Sequence, residues 1–181
     1  MPSRWKYARP EFERRFLLRS VPPGPVLHSR HIVDRYLLGT QLRLRVLVET
    51  GREQDEDGRE YKLTQKVPDP VTGTPRRMTT MYLSRAAYDL VATLPAAELS
   101  KVRLSIAPFG VDVFQGRLEG LVLAECEAAD ATELARYASP AGSVAEVTED
   151  DRFSGGRLAM TPAPELGRLL AEFGLPVPAR S

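Results

Sequence analysis

EFERRFLL, residues 11–18, aligns Glu11, Glu13 and Arg15 on one side of an extended strand and Phe12 and Phe16 on the other, because successive strand side chains point to opposite faces. The same period-two alternation recurs in QLRLRVLVE (41–49), YKLTQKV (61–67), KVRLSI (101–106), GVDVFQG (110–116) and LVLAECEA (121–128), and predicts a strand at each. The polar faces carry like charges two to four residues apart: Arg43 and Arg45, Lys62 and Lys66 flanking Thr64, Lys101 and Arg103. Glu125 and Glu127 form an acidic counterpart, with Cys126 turned the other way into the apolar layer. One such face alone reads as solvated surface. Several together repel unless a counter-ion lies between them. Closing the sheet with these faces inward removes the difficulty if the lumen takes an anion and a metal, and a barrel of about eight strands has room for side chains or one small ligand.

The chain around these strands is 181 residues long, 43% hydrophobic and 27% charged, which fits one globular unit spanning 1–181. No apolar run approaches the roughly 20 residues of a membrane helix. MPSRWKYARPEFERRF at the start places charges where a secretory signal needs an apolar stretch, so a cytoplasmic location is expected. A single cysteine excludes an internal disulfide and a thiolate metal cluster, leaving oxygen ligands for any metal. The net charge of +1, without basic runs rich in aromatics, argues against nucleic acid as a partner. Oligomeric state is left open, a homodimer included.

PPGP (22–25), PDPVTGTP (68–75) and PAP (162–164) interrupt regular structure, and the polar GREQDEDGRE (51–60) reads as a hairpin loop. SRAAYDLVATL from Ser84 and ADATELARYA from Ala129 predict short helices, and Leu166, Leu169, Leu170 and Phe173 mark a third over about 164–173, stopped by Gly174 and Pro176. Many antiparallel strands with a few peripheral helices give an α+β fold.

At this point the motifs resemble the CYTH domain, or triphosphate tunnel metalloenzymes. The family's N-terminal Glu-x-Glu-x-Lys stands here as Glu11-Phe-Glu13-Arg-Arg15, and the likeness continues through RYLLGTQLRLR, YKLTQK, KVRL, GVDVFQGRLEGLVLAECE and AEVTEDDRF, over about residues 7–160. The resemblance implies a closed eight-stranded antiparallel β-barrel, a tunnel in which bases hold a triphosphate or polyphosphate and acids hold Mg²⁺ or Mn²⁺. By matching position, Arg15, Arg43, Arg45, Lys66, Lys101 and Arg103 would bind phosphate, with Lys62 beside Lys66. Tyr36 resembles a tunnel-lining tyrosine of short bacterial members. Glu11, Glu13, Glu125 and Glu127 would bind metal, Glu13 and Glu127 acting in catalysis.

Two departures are visible. Arg15 replaces the signature lysine, keeping charge but not reach or proton lability. Many members also carry a further acidic pair after the Thr-x-Lys strand, often as Arg-x-Glu-x-Glu, where this chain reads RRMTTMYLS, with no carboxylate from Arg76 to Tyr88. The resemblance therefore implies metal-dependent hydrolysis of inorganic triphosphate, short polyphosphate or an organic triphosphate, with a non-catalytic polyphosphate or nucleotide-triphosphate module as the alternative and an adenylate cyclase as a further one. The unliganded cation cluster is expected to repel itself and add little native stability.

Outside the motifs, Asp112 reads as a residue that caps or pairs at a strand end, or as a site residue, and Arg152 as reaching the tunnel mouth or solvated. His28 and His31 read as exposed loop histidines, Trp5 and Tyr7 as packing over a barrel end, and Cys126 as buried and inert.

Overall fold

A computed structural model describes residues 6–52, 58–68 and 76–176. Trp5, the tip of the 51–60 loop and all but Pro68 of PDPVTGTP lie outside the described residues. The strands are β1 (Arg9–Leu18), β2 (Ser29–Leu37), β3 (Leu42–Glu49), β4 (Glu60–Pro68), β5 (Arg76–Leu83), β6 (Ala96–Ile106), β7 (Phe109–Phe114), β8 (Val122–Ala128) and β9 (Ser143–Glu146). They pair in the order β5-β4-β3-β2-β6-β7-β8-β1-β9, and a further β5–β1 pairing closes β1 to β8 into a barrel. All pairings are antiparallel. β1 shares one edge between two neighbours. Its first residues, Arg9 to Glu11, pair with β5, and Phe16 to Leu18 pair with β9.

The strands expected from alternation are all present. β2, β5 and the four-residue β9 are additional, since neither HIVDRYL nor RRMTTMYL alternates cleanly between polar and apolar and SVAE is too short to show a period. His31 is corrected accordingly. It lies on β2, half-buried, with Nε2 3.0 Å from both Ser100 Oγ and Gln115 Oε1, while His28 is exposed in the connection.

Apolar residues divide into two layers. Outside the barrel wall, Phe16, Leu18, Val111, Val122, Ala124 and Cys126 pack beneath Leu134 and Tyr137. These come from α2 (Ala131–Leu134) and the segment after it. The helix is shorter than the ten residues expected, and the Tyr137 carbonyl beyond it accepts a 2.7 Å bond from Arg14. The second layer plugs one end of the lumen: Leu17, Leu99, Phe114, Leu121 and Leu123 point inward and meet Phe153, Leu158, Leu166 and Leu170.

That plug is built by α3 (Gly155–Leu158) and α4 (Ala163–Glu172). α4 begins behind Pro162 and ends at Gly174, whose φ of 66° lets Gly174 N–H reach Ala171 O and Leu175 N–H reach Leu170 O. This double bond closes a helix C-terminus and turns the buried Leu175 back onto the plug. Burial of Leu166, Leu169 and Leu170 stabilises the plug by roughly 1.5–3 kcal/mol per side chain. α1 (Arg85–Ala92) lies on the outer face of β3 to β5, with Ser84 Oγ capping Ala87 N–H at 3.2 Å. No helix among the described residues is long and apolar enough to cross a membrane.

Candidate functional site

Inside the barrel is a cavity of about 1010 Å³, lined by Glu11, Glu13, Arg15, Tyr36, Arg43, Arg45, Lys62, Lys66, Lys101, Arg103, Glu125 and Glu127. Every residue that the family resemblance assigns to phosphate or metal is thus on one wall or another of the same space. Alternation explains the convergence. Register places Glu13 opposite Glu127 and Arg15 opposite Glu125 across β1 and β8, and Arg45 opposite Lys62 across β3 and β4. Directly opposed strand residues share a face.

The barrel order sets charge against charge. β1 and β8, which carry the four glutamates, are neighbours, and β2 stands halfway round from β1 beside β3 with Arg43 and Arg45. An acidic wall therefore faces a basic one.

The acidic wall has two parts. Glu11, Glu13 and Glu127 each bring one oxygen within 4.8 Å of the others. Glu11 Oε2 is buried without a hydrogen-bond partner among the described residues, a costly state for a carboxylate oxygen. Burial pushes the Glu13 carboxyl up, as do neighbouring Glu125 and Glu11, against the pull of Lys66 and Arg15. Glu125 stands apart, with Oε1 2.9 Å from Arg15 Nε and Oε2 2.5 Å from Arg103. Burial would raise its carboxyl, but Arg103 and Arg15 override that and hold it well below the usual carboxylate range.

The basic wall rests on two buried aspartates. Asp34, 0% exposed, accepts from Arg45 at 2.6 and 2.8 Å and lies 3.7 Å from Arg43 Nε. Arg45 and Arg43 outweigh its burial and hold it far below the usual range. Asp112, also 0% exposed, accepts from Lys101 at 2.5 Å and from Arg103 at 2.6 Å. It does not cap a strand end; it pairs, from within β7. Desolvation pulls the Lys101 ammonium down, and Asp112 opposes it. Arg43 Nε is buried without a hydrogen-bond partner among the described residues. The Tyr36 phenol is pushed up by burial and by Asp34, so it stays protonated and able to donate.

These aspartates correct the expectation of a self-repelling cluster for two of the three cation pairs: Arg43 and Arg45 have Asp34 beneath them, and Lys101 and Arg103 have Asp112. Asp34 escaped the sequence reading although it shares a β2 face with Tyr36, two residues on. The other missed contact is Gly155. A Cβ there would lie 1.8 Å from Tyr36 Oη, so only glycine lets α3 seat against the tyrosine.

β5 completes the lining. Register with Lys62, Thr64 and Lys66 turns Tyr82, Thr80 and Met78 inward, with Arg76 below them, and none is a carboxylate. Lys62 Nζ sits 4.9 Å over the Tyr82 ring and 2.9 Å from Glu60. Tyr7, largely exposed, lines the rim. Arg152 is not on this wall; it binds Asp150 and Glu172 at 2.7 Å each, tying the acidic turn to α4.

No protein-family model and no curated protein matches the sequence. Among solved structures, the chain is similar to a crystal structure of "the hypothetical protein NE1496", 25% identical with a TM-score of 0.55 over 84% of this chain and 99% of that one. A second crystal structure, of "the inorganic triphosphatase NE1496", is 24% identical with a TM-score of 0.55 over 83% and 95%. The chain has the triphosphate tunnel fold of the CYTH family. The closed antiparallel tunnel, its facing walls and its plugged end are the frame on which the side chains above are displayed.

Proposed function

We propose that this protein is a metal-dependent triphosphatase that hydrolyses inorganic triphosphate or a short polyphosphate, an organic triphosphate being a further substrate. The observation that supports it is the pair of opposed walls, each with an unsatisfied buried group: Glu11 Oε2 on the acidic side and Arg43 Nε on the basic side. A polyanion bridged to a divalent cation would satisfy both. The fold's likeness to NE1496, described as an inorganic triphosphatase, points the same way.

Glu11, Glu13 and Glu127 form an all-oxygen set suited to Mg²⁺ or Mn²⁺. Such an ion would neutralise phosphate oxygens and acidify a water. Arg15, Arg43, Arg45, Lys66, Lys101 and Arg103 would hold the phosphate chain, arginine giving two-pronged hydrogen bonds and lysine a point charge. Lys62 would add charge at the mouth, and protonated Tyr36 would donate to a phosphate oxygen. With both oxygens held by arginines, Glu125 would orient Arg15 and Arg103 rather than a second ion. Glu13 would take the proton as water attacks the terminal phosphorus and pyrophosphate leaves, with Glu127 aligning that water.

A second reading, a sensor that binds without turnover, is favoured by the absence of carboxylates on the inward side of β5. Phosphate release from tripolyphosphate with Mg²⁺ or Mn²⁺, beside calorimetric binding of the same ligand, separates the two. Tight binding with no release across both metals at neutral and alkaline pH would replace the enzyme by the sensor, and no binding would end both.

A further inference from the structure

Lys66 differs from Arg45, Lys101 and Arg103, which rest on buried aspartates, in where its charge goes. Arg15 also reaches this acidic wall and holds Glu13 Oε1 at 2.8 Å, but leaves Glu11 to Lys66. Its neighbour on β5 is Met78, so β5 gives it no anion. The ammonium instead reaches across to β1, 2.5 Å from Glu11 Oε1 and 3.9 Å from Glu13 Oε2. These are two of the three carboxylates that converge within 4.8 Å. The Glu11 side chain is 4% exposed, and its second oxygen has no hydrogen-bond partner among the described residues. Glu11 is therefore half satisfied, with one oxygen on Lys66 and one still open to a cation.

A lysine ammonium and a divalent ion compete for the same lone pairs, and at ion-pair distance they repel each other. The Lys66 stem is flexible and its side chain 26% exposed, so it can swing away from Glu11. We propose that Lys66 Nζ and a divalent cation are alternative occupants of the Glu11–Glu13 pair, and that a triphosphate, on the functional reading above, draws Lys66 to its oxygens and opens the pair to the ion. Lys66 is then a positioning residue that weakens metal binding until substrate draws it away. An ammonium that vacates the carboxylates in favour of phosphate improves both sites at once, so ligand and metal each tighten the other.

The test titrates Mn²⁺ alone, without any phosphate, into wild type, Lys66→Met and Lys62→Met, reading free ion by electron paramagnetic resonance. Lys62 is on the same face of the same strand, about 13 Å along it. Lys66→Met is expected to tighten Mn²⁺ by about tenfold or more and Lys62→Met by less than about threefold. Equal effects, or no tightening, overturn the proposal. In wild-type crystals soaked with Mn²⁺, the ion should sit on Glu11 with Lys66 Nζ beyond about 4 Å from it; an ion bound while Lys66 keeps Glu11 refutes the exchange. Crystals soaked with imidotriphosphate and no metal should show Lys66 on the phosphate chain, and a bound ligand that leaves Lys66 on Glu11 refutes the substrate-conditional step. Because the Mn²⁺ measurements use no phosphate, their failure is distinct from a failure of the phosphate-release assay.

Discussion

Asp34→Asn is expected to destabilise the protein by about 3 kcal/mol. The carboxylate is 0% exposed and holds Arg45 through two bonds of 2.6 and 2.8 Å, with Arg43 at 3.7 Å. Removing one partner of a buried ion pair costs about 3–5 kcal/mol, largely because the remaining charge is stranded. Both arginines line the cavity, where water reaches them, so the lower end of that range applies. For a chain of this size, about 3 kcal/mol corresponds to a fall in Tm of roughly 6–12 °C, measured by circular dichroism in the absence of phosphate. If the stranded arginine is the cause, Asp34→Asn/Arg45→Met should recover at least about 1 kcal/mol relative to the sum of the single changes. A Tm within about 2 °C of wild type, or strictly additive singles, would refute the reasoning.

Arg43→Met removes a cation whose nearest carboxylate oxygen is at 3.7 Å; it should weaken tripolyphosphate binding by roughly ten- to a hundredfold in calorimetry while leaving Tm close to wild type. Glu13→Gln keeps size and removes a ligand charge, and should cut metal-dependent phosphate release by about 100-fold or more while metal-free tripolyphosphate binding survives; retained turnover would remove Glu13 from the mechanism. Glu125, held well below its ordinary 4.5 by Arg103 and Arg15, contributes stability that is fully present above that value and is lost as pH falls toward its lowered folded value. Urea denaturation at successive pH values below 4.5 should therefore show wild type losing stability more steeply than Glu125→Gln, and equal slopes would count against this ion-pair assignment.

Strand identity was legible wherever one face was charged and the other apolar, as in EFERRFLL or LRLRV, because the lumen demands charge on one side and the layers outside it demand apolar groups on the other. β2 broke that rule. Its inward side mixes Ile32, Asp34 and Tyr36, its outward side His31, Val33 and Arg35, so no period shows although the strand lies centrally between β3 and β6. β5 fails for the same reason, mixing Arg76, Met78, Thr80 and Tyr82 inward. Charge pairs along single strands exposed the basic residues of the site. The partners that fix them could not be read that way, since Asp34 meets Arg45, and Asp112 meets Arg103, only across a strand register. Nor does any local pattern reveal that Glu125 is taken by two arginines while Glu127 remains open to the cavity.

The shared edge of β1 has a consequence for how the chain comes to be folded. Its neighbours, β5, β8 and β9, lie between residues 76 and 146, so β1 must wait for partners far downstream. During synthesis β2 can pair with β3, and β3 with β4, as soon as each hairpin emerges, whereas EFERRFLL keeps two bare edges until β8 and β9 have appeared. Such distant pairings pay loop-closure entropy before any contact repays it, and they slow folding. An arrested or truncated chain would present Phe12, Phe16 and Leu18 on an unpaired strand, a template for association with another copy.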